Sequence, residues 1–275
     1  MTDELRFRAL DHAFRVKAAE PAVRGHLDRL LGQFRAPDVN GASPVYELRR
    51  ERRYHVVELD GRNVNRATTS IPAIDYVVWK AGQEAMASSR YLVVHAGAVA
   101  GRDHGVLMPA TADSGKTTLT AALTRAGFDY LSDEAGVIDL AWGTLRPFAR
   151  ALWMEVGSID RIPGLWDRLP RDVRERRRQS HVAPDEIRPG SIGVPSPIRT
   201  VIFPSYRTGR DVRLEPVGGA EALLMLARNA FNLDRFGGAA LEPLARIVTG
   251  ARCFRLEMGD LDDAVAAVRD VVEAM

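Results

Sequence analysis

The stretch 105-GVLMPATADSGKTTLTAAL-123 constrains this chain more than any other. An apolar run ends at Ala110, a loop of small residues closes in Gly-Lys-Thr, and an amphipathic helical pattern follows at once. In that order, the backbone N–H groups of the helix start point into the loop. The helix dipole adds partial positive charge there, which suits phosphate. A lysine at position 116 reaches terminal phosphates, and the Thr117 hydroxyl is placed to ligate Mg²⁺. Ser114, Gly115, Lys116, Thr117 and Thr118 are therefore the candidate nucleotide contacts. The bland alternative is a tight strand-to-helix turn with no ligand. The loop departs from G-x-x-x-x-G-K-[ST] at Ala110, where the first glycine belongs, and it carries an acid, Asp113. Ala110 fits if its φ is negative. Asp113 fits if its carboxylate turns to solvent.

The neighbours of the loop add chemistry. Residues 91–100 read as an apolar strand and 101-GRDH-104 as a turn. That hairpin pairs 100 with 105 and 95 with 110, so His95 falls across from the first loop residue. The strand 128-FDYLSDE-134 ends in Asp133 and Glu134. These acids are expected at the carboxyl end of a strand packed beside the loop strand, where ligands bind in open α/β sheets. Two adjacent carboxylates beside a phosphate site suit metal binding and general-base work on a hydroxyl. Arg150, in 147-PFARAL-152, is expected on a strand after the acids. It stabilises transferring phosphate charge or is an ordinary surface arginine. His104 and His55 lack such support and read as surface residues.

Residues 1–90 read as a small α+β region, with two strands within 45–59, a turn at 60–63 and a helix over 73–89. From Tyr91 the pattern changes. After the acids come a third and a fourth strand within 136–156. Residues 157–197, rich in Pro, Gly and Arg, read as an irregular excursion or a mobile lid. Strands at 199–206 and 212–218, helices at 220–232 and 239–250, a strand at 252–258 and a helix at 261–275 capped by Asp260 complete the chain. The run 168–181 holds six arginines among acids and no aromatic residue. It is a solvated face or a dock for an acidic substrate, not a platform for single-stranded nucleic acid. A net charge of +2 likewise points to no nucleic acid. The single cysteine, Cys253, excludes an intrachain disulfide and reads as a buried strand thiol. The N-terminus is too charged for a signal peptide, and no run approaches the roughly 18 apolar residues of a membrane span. The expectation is a cytoplasmic protein without a membrane partner.

The succession "VVHAGAVA", turn, strand, "SGKTTLTAAL", "GFDYLSDE" resembles the HPr kinase/phosphorylase family, and more closely the HPr-kinase-related proteins of peptide-modification gene clusters. The later "FPSY…LEPVGGAEALLMLARNAFN" is similar to the same relatives. The resemblance covers about residues 90–275. It implies an α/β fold of the kind shared by HPr kinases and phosphoenolpyruvate carboxykinases, with a P-loop domain following the small α+β region. It implies phosphoryl transfer from ATP, with Mg²⁺, to a serine hydroxyl of a peptide or small protein. Lys116 would contact phosphates, Thr117 and Glu134 would serve the metal, Asp133 would be the general base, and His95 matches the family's active-site histidine. The family has glycine at the places of Ala110 and Asp113. The stretch 154-MEVGSIDRIPG-164 departs from its glycine-rich segment, which argues against HPr as acceptor and against phosphorolysis. The family's hexamers have no interface signature here, so a homo-oligomer stays open. The alternatives are a nucleotide-binding regulator without turnover and a small-molecule phosphotransferase.

Overall fold

The computed structural model describes residues 4–175 and 178–274. Arg176 and Arg177 of the arginine run and Met275 of the last helix lie outside the described residues. The chain forms a mixed α/β structure in two compact units, Met1–Arg90 and Tyr91–Met275.

The first unit is a five-stranded sheet in sequence order: β1 (Glu4–Ala9), β2 (His12–Ala18), β3 (Val45–Glu51), β4 (Tyr54–Leu59) and β5 (Arg62–Ala67). α1 (Pro21–Leu31) carries the chain from β2 to β3, the one parallel pair. A parallel pair needs such a crossover, whereas the hairpins need only tight turns. α1 and α2 (Ser70–Ser88) pack against each other and the sheet, and Leu27, Leu30, Ile74, Val77, Phe7, Phe14 and Tyr46 are fully buried. β1, β2 and β5 extend the two strands legible in the sequence. The alternation Leu5, Phe7, Ala9 is the strand signal that 4–9 carries. His55 is half-buried on β4, with Nδ1 4.0 Å from Glu20, rather than a free surface residue.

The second unit opens with the hairpin of β6 (Leu92–Gly101) and β7 (His104–Pro109). Its register pairs Ala100 with Gly105 and Ala96 with Pro109, and Ala110 N–H donates to His95 O at 3.2 Å. Arg102 takes a left-handed φ of 52° to close the two-residue turn. α3 (Lys116–Arg125) follows the loop, then β8 (Asp129–Ser132), β9 (Ala135–Asp139), β10 (Thr144–Arg146) and β11 (Leu152–Glu155). β8 and β9 lie end to end along one side of β6. β6 therefore separates β8 from β7, a correction to the expectation that the acid strand lies beside the loop strand. Both β7 and β8 run antiparallel to β6, so their carboxyl ends still share one edge of the sheet.

The described residues within 156–195 form a packed layer of short elements, not an irregular excursion. α4 (Val156–Ile159), α5 (Leu165–Arg168), α6 (Arg171–Arg174), β12 (Gln179–Val182) and α7 (Pro184–Ile187) succeed one another, and β11 pairs with β12 apart from the main sheet. Ile159, Ile162, Leu165, Leu169, Val173, Val182 and Ile187 join Leu152, Met154 and Tyr130 in one buried cluster. The elements are too short to show periodicity, and that hid their order. Arg188 ties this layer down by donating to Thr124 O (3.1 Å) and Phe128 O (2.9 Å) at the end of α3 and pairing with Asp129.

β13 (Ser196–Tyr206) returns parallel to β7, and β14 (Arg213–Pro216) and α8 (Gly219–Arg228) follow. Next come α9 (Leu241–Gly250), β15 (Arg252–Met258) parallel to β13, and α10 (Leu261–Glu273), capped by Asp260 through the N–H groups of Asp262 and Asp263 at 2.9 and 3.0 Å. The main sheet runs β10-β9-β6-β7-β13-β15-β14, and β10 also pairs with β13, closing a ring of five strands. Leu92, Val94, Leu107, Ile138, Leu145 and Val201 fill one core of this sheet. Cys253 is buried in that core. α3 and α10 cover Val99, Val106 and Met108 on the other. His104 is buried at the start of β7, so it is not a surface residue. Among the described residues, no helix is long and apolar enough to cross a membrane.

Helix 220–232 ends early, at Arg228. The next residues extend β6 instead: His95 N–H donates to Asn229 O (2.7 Å), and Phe231 N–H to Val93 O (2.8 Å). The Asn232 side chain accepts from Val93 N–H and donates to Tyr91 O. The helix expected over 239–250 begins as a 3₁₀ turn at Gly237–Ala240.

Gly97 lets α3 approach β6. A Cβ there would lie 2.4 Å from Thr120 Oγ1 and 3.2 Å from Met108 Cε. Thr120 stands on a helix, where its rotamers are restricted. Gly97→Ala is expected to lower unfolding free energy by about 1–3 kcal/mol, measured as a reduced denaturant midpoint.

Candidate functional site

Gly115 starts the site. It holds φ 84° as the N-cap of α3, and a Cβ would meet Met258 Cε at 2.6 Å and Tyr206 Cβ at 3.3 Å. The left-handed conformation favours glycine here, and any Cβ would also displace the Met258 methyl. Asp113 also has a positive φ, 60°, which aspartate tolerates better than most residues. Its side chain is exposed, and Ala110 keeps a negative φ. Both departures from the loop pattern are thus accommodated by the backbone.

A cleft of about 550 Å³ opens over the start of α3. It brings together His95, Gly115, Lys116, Thr117, Thr118, Asp133 and Glu134. Ser114 is not among them. Its hydroxyl is buried without a hydrogen-bond partner, and the residue lines a second cavity behind the loop. Arg150 also lies outside the cleft wall. It sits in the segment before β11 rather than on a strand, 9% exposed, and reaches the site through an ion pair with Glu134.

Asp133 and Glu134 occupy the junction between β8 and β9, where Glu134 O accepts from Ala96 N–H at 3.1 Å. The same junction sends the two carboxylates to different surroundings. Asp133 is 4% exposed, while the Glu134 side chain is 43% exposed. Burial pushes the Asp133 carboxyl up to about 6. The Arg150 charge and hydrogen bonds from Tyr130 and Thr117 oppose that rise, and Glu134 adds to it. Tyr130 lies 3.1 Å from Asp133 Oδ1 and 2.9 Å from Arg150 O. Its single proton serves two acceptors. That proton is donated to one of them at a time.

Lys116 is 6% exposed, and its Nζ donates to Thr111 O at 3.0 Å. Burial lowers its pKa, against the raising pull of Asp133, Glu134 and Asp113. His95 is half-buried, with its ring centroid 5.3 Å from that of Phe231. Burial first and Lys116 second lower its pKa, and Glu134 raises it, so the neutral imidazole is favoured at neutral pH.

The far wall comes from β11 and the packed layer: Trp153, Glu155, Ser158, Arg161 and Gln179. Tyr206, Met258 and Asp260 close the end beyond Gly115. The sequence held weak signals for some of these: Tyr206 ends the "FPSY" strand, and Asp260 follows the last strand. Tyr130 and Arg161 carried none. Among the described residues, no group of three His, Cys, Asp or Glu could hold a metal by itself. Mg²⁺ needs fewer protein ligands when phosphates share it, and Thr117, Glu134 and Asp133 offer oxygens of the right kind. No protein-family model matches the chain, and no curated protein matches it at a significant level.

The raised Asp133 pKa has a defined sign. The folded state holds its proton more tightly than the unfolded chain, whose value lies near 4. The associated stability is complete below about pH 4 and is lost as pH rises through about 6. Its size is about 3 kcal/mol as an upper figure. Asp133→Asn is expected to melt higher than wild type at pH 7.5, with the gap narrowing toward pH 4, as read by thermal denaturation in a pH series.

Proposed function

We propose that this chain is an ATP-dependent kinase that phosphorylates a serine hydroxyl of a peptide or small protein. The reading extends to an HPr-kinase-like fold for the second unit. One observation carries it: a buried lysine and a threonine at an α-helix N-terminus converge with a buried, hydrogen-bonded carboxylate in one cleft. The backbone amides at the start of α3 cradle the phosphates, and Lys116 leaves Thr111 O to hold the terminal ones. Thr117 and Glu134 would hold Mg²⁺, which would supply positive charge to the phosphoryl group.

Asp133 is the general base. The serine oxygen bonds to the γ-phosphorus, the bond from that phosphorus to the bridging oxygen breaks, and ADP leaves. The hydroxyl proton passes to Asp133. A carboxylate with a pKa near 6 is ionised at neutral pH yet more basic than an exposed one, which suits this transfer. Arg150 pairs with Glu134 and keeps a positive charge behind the two acids. His95 lines the same cleft, and burial favours its neutral form.

Asp113 favours a second reading, nucleotide binding without transfer, because its charge stands in the loop that meets phosphate. ADP release separates the two. Asp133→Asn is expected to keep MgATP affinity and lose about 10²- to 10⁴-fold in kcat. Retained turnover in that variant, or no MgATP binding by wild type at millimolar concentration, removes the kinase reading. Asp113→Gly is expected to tighten MgATP binding several-fold, more so at low salt, as measured by titration calorimetry.

A further inference from the structure

The cleft runs beyond the phosphate turn, and the sheet order gives it a direction. Asp133 and His95 lie on the β6 side of β7. β13 and β15 lie on the other side, parallel to β7, and their last residues Tyr206 and Met258 stand in register at the same edge. Tyr206 and Met258 flank Gly115 directly. A nucleoside triphosphate seated on the α3 turn with its terminal phosphate at Asp133 must send its base toward Tyr206.

At that end two flat groups meet from remote parts of the chain. Arg161, exposed on the packed layer, donates through Nη1 to Tyr206 Oη at 3.2 Å, and its guanidinium carbon lies 5.7 Å from the tyrosine ring centroid. Both line the cleft with Leu261. Delocalised cation, ring and apolar side chain form a surface on which a nucleobase stacks, since every base offers a π-face to such groups. We infer that Arg161 and Tyr206 form the base-binding end of the cleft and stack the purine of the nucleotide. This inference rests on the nucleotide reading above. It assigns the packed layer a part in donor binding, contributed by Arg161.

The test compares MgATP with inorganic tripolyphosphate plus Mg²⁺, titrated calorimetrically into wild type, Arg161→Ala and Tyr206→Leu. Loss of stacking is expected to weaken MgATP about tenfold in each variant, while tripolyphosphate affinity stays within about twofold. Arg161 is exposed, so its variant keeps the test decisive if Tyr206→Leu misfolds beside Gly115. Unchanged MgATP affinity, or an equal fall for both ligands, overturns the inference. Wild type binding tripolyphosphate as tightly as MgATP also overturns it and leaves the phosphate site standing. Wild type binding neither ligand removes both readings.

Discussion

The register of the β6–β7 hairpin is the constraint on which the cleft depends. Side chains alternate along a strand, so a slip of one residue turns every one of them to the other face. The two-residue turn at Arg102–Asp103 fixes the pairing, and all other placements follow. His95 then falls opposite Ala110, β8 and β9 find their places along β6, and the acids emerge where those two strands meet. Gly97 performs the same service in depth, because it lets α3 sit close enough for Lys116 and Thr117 to meet Asp133. Geometry at the site is thus inherited from backbone pairing rather than from contacts among the functional groups.

Those groups sit in opposition to their surroundings. Desolvation works against charge on Asp133, Lys116 and His95 alike, moving the acid up and the bases down. Arg150 offsets part of that cost for the acids, and the Thr111 carbonyl satisfies the lysine. Groups shifted in this way by burial in one cleft mark a candidate functional site.

Local pattern made much of this legible. Gly-Lys-Thr between an apolar strand and a helix located the cleft, hairpin arithmetic placed His95, and Asp260 showed itself as a helix cap. Other features needed the tertiary structure. The helices between Val156 and Ile187 are one turn long and the strand β12 is four residues, below the length at which amphipathic spacing can be read. β8 and the acids looked adjacent to the loop strand because sequence distance cannot show that β6 lies between them. Ser114 reads as a phosphate contact by motif position, and in the structure it lines a second cavity rather than the cleft. Arg161 and Tyr206 stand 45 positions apart and meet only because one layer folds over the end of another.

The splice at Asn229–Asn232 has a consequence for how changes in this chain are to be read. A segment more than 130 positions downstream of His95 supplies the carbonyl that its amide needs and the ring against which it rests. Asn232 then pins the splice by satisfying both a donor and an acceptor at the start of β6. The few residues after α8 resemble a connecting loop, where length variation is ordinarily harmless. Here one inserted residue shifts the ladder and carries Phe231 off the histidine. An indel at this junction belongs with substitutions in the cleft itself.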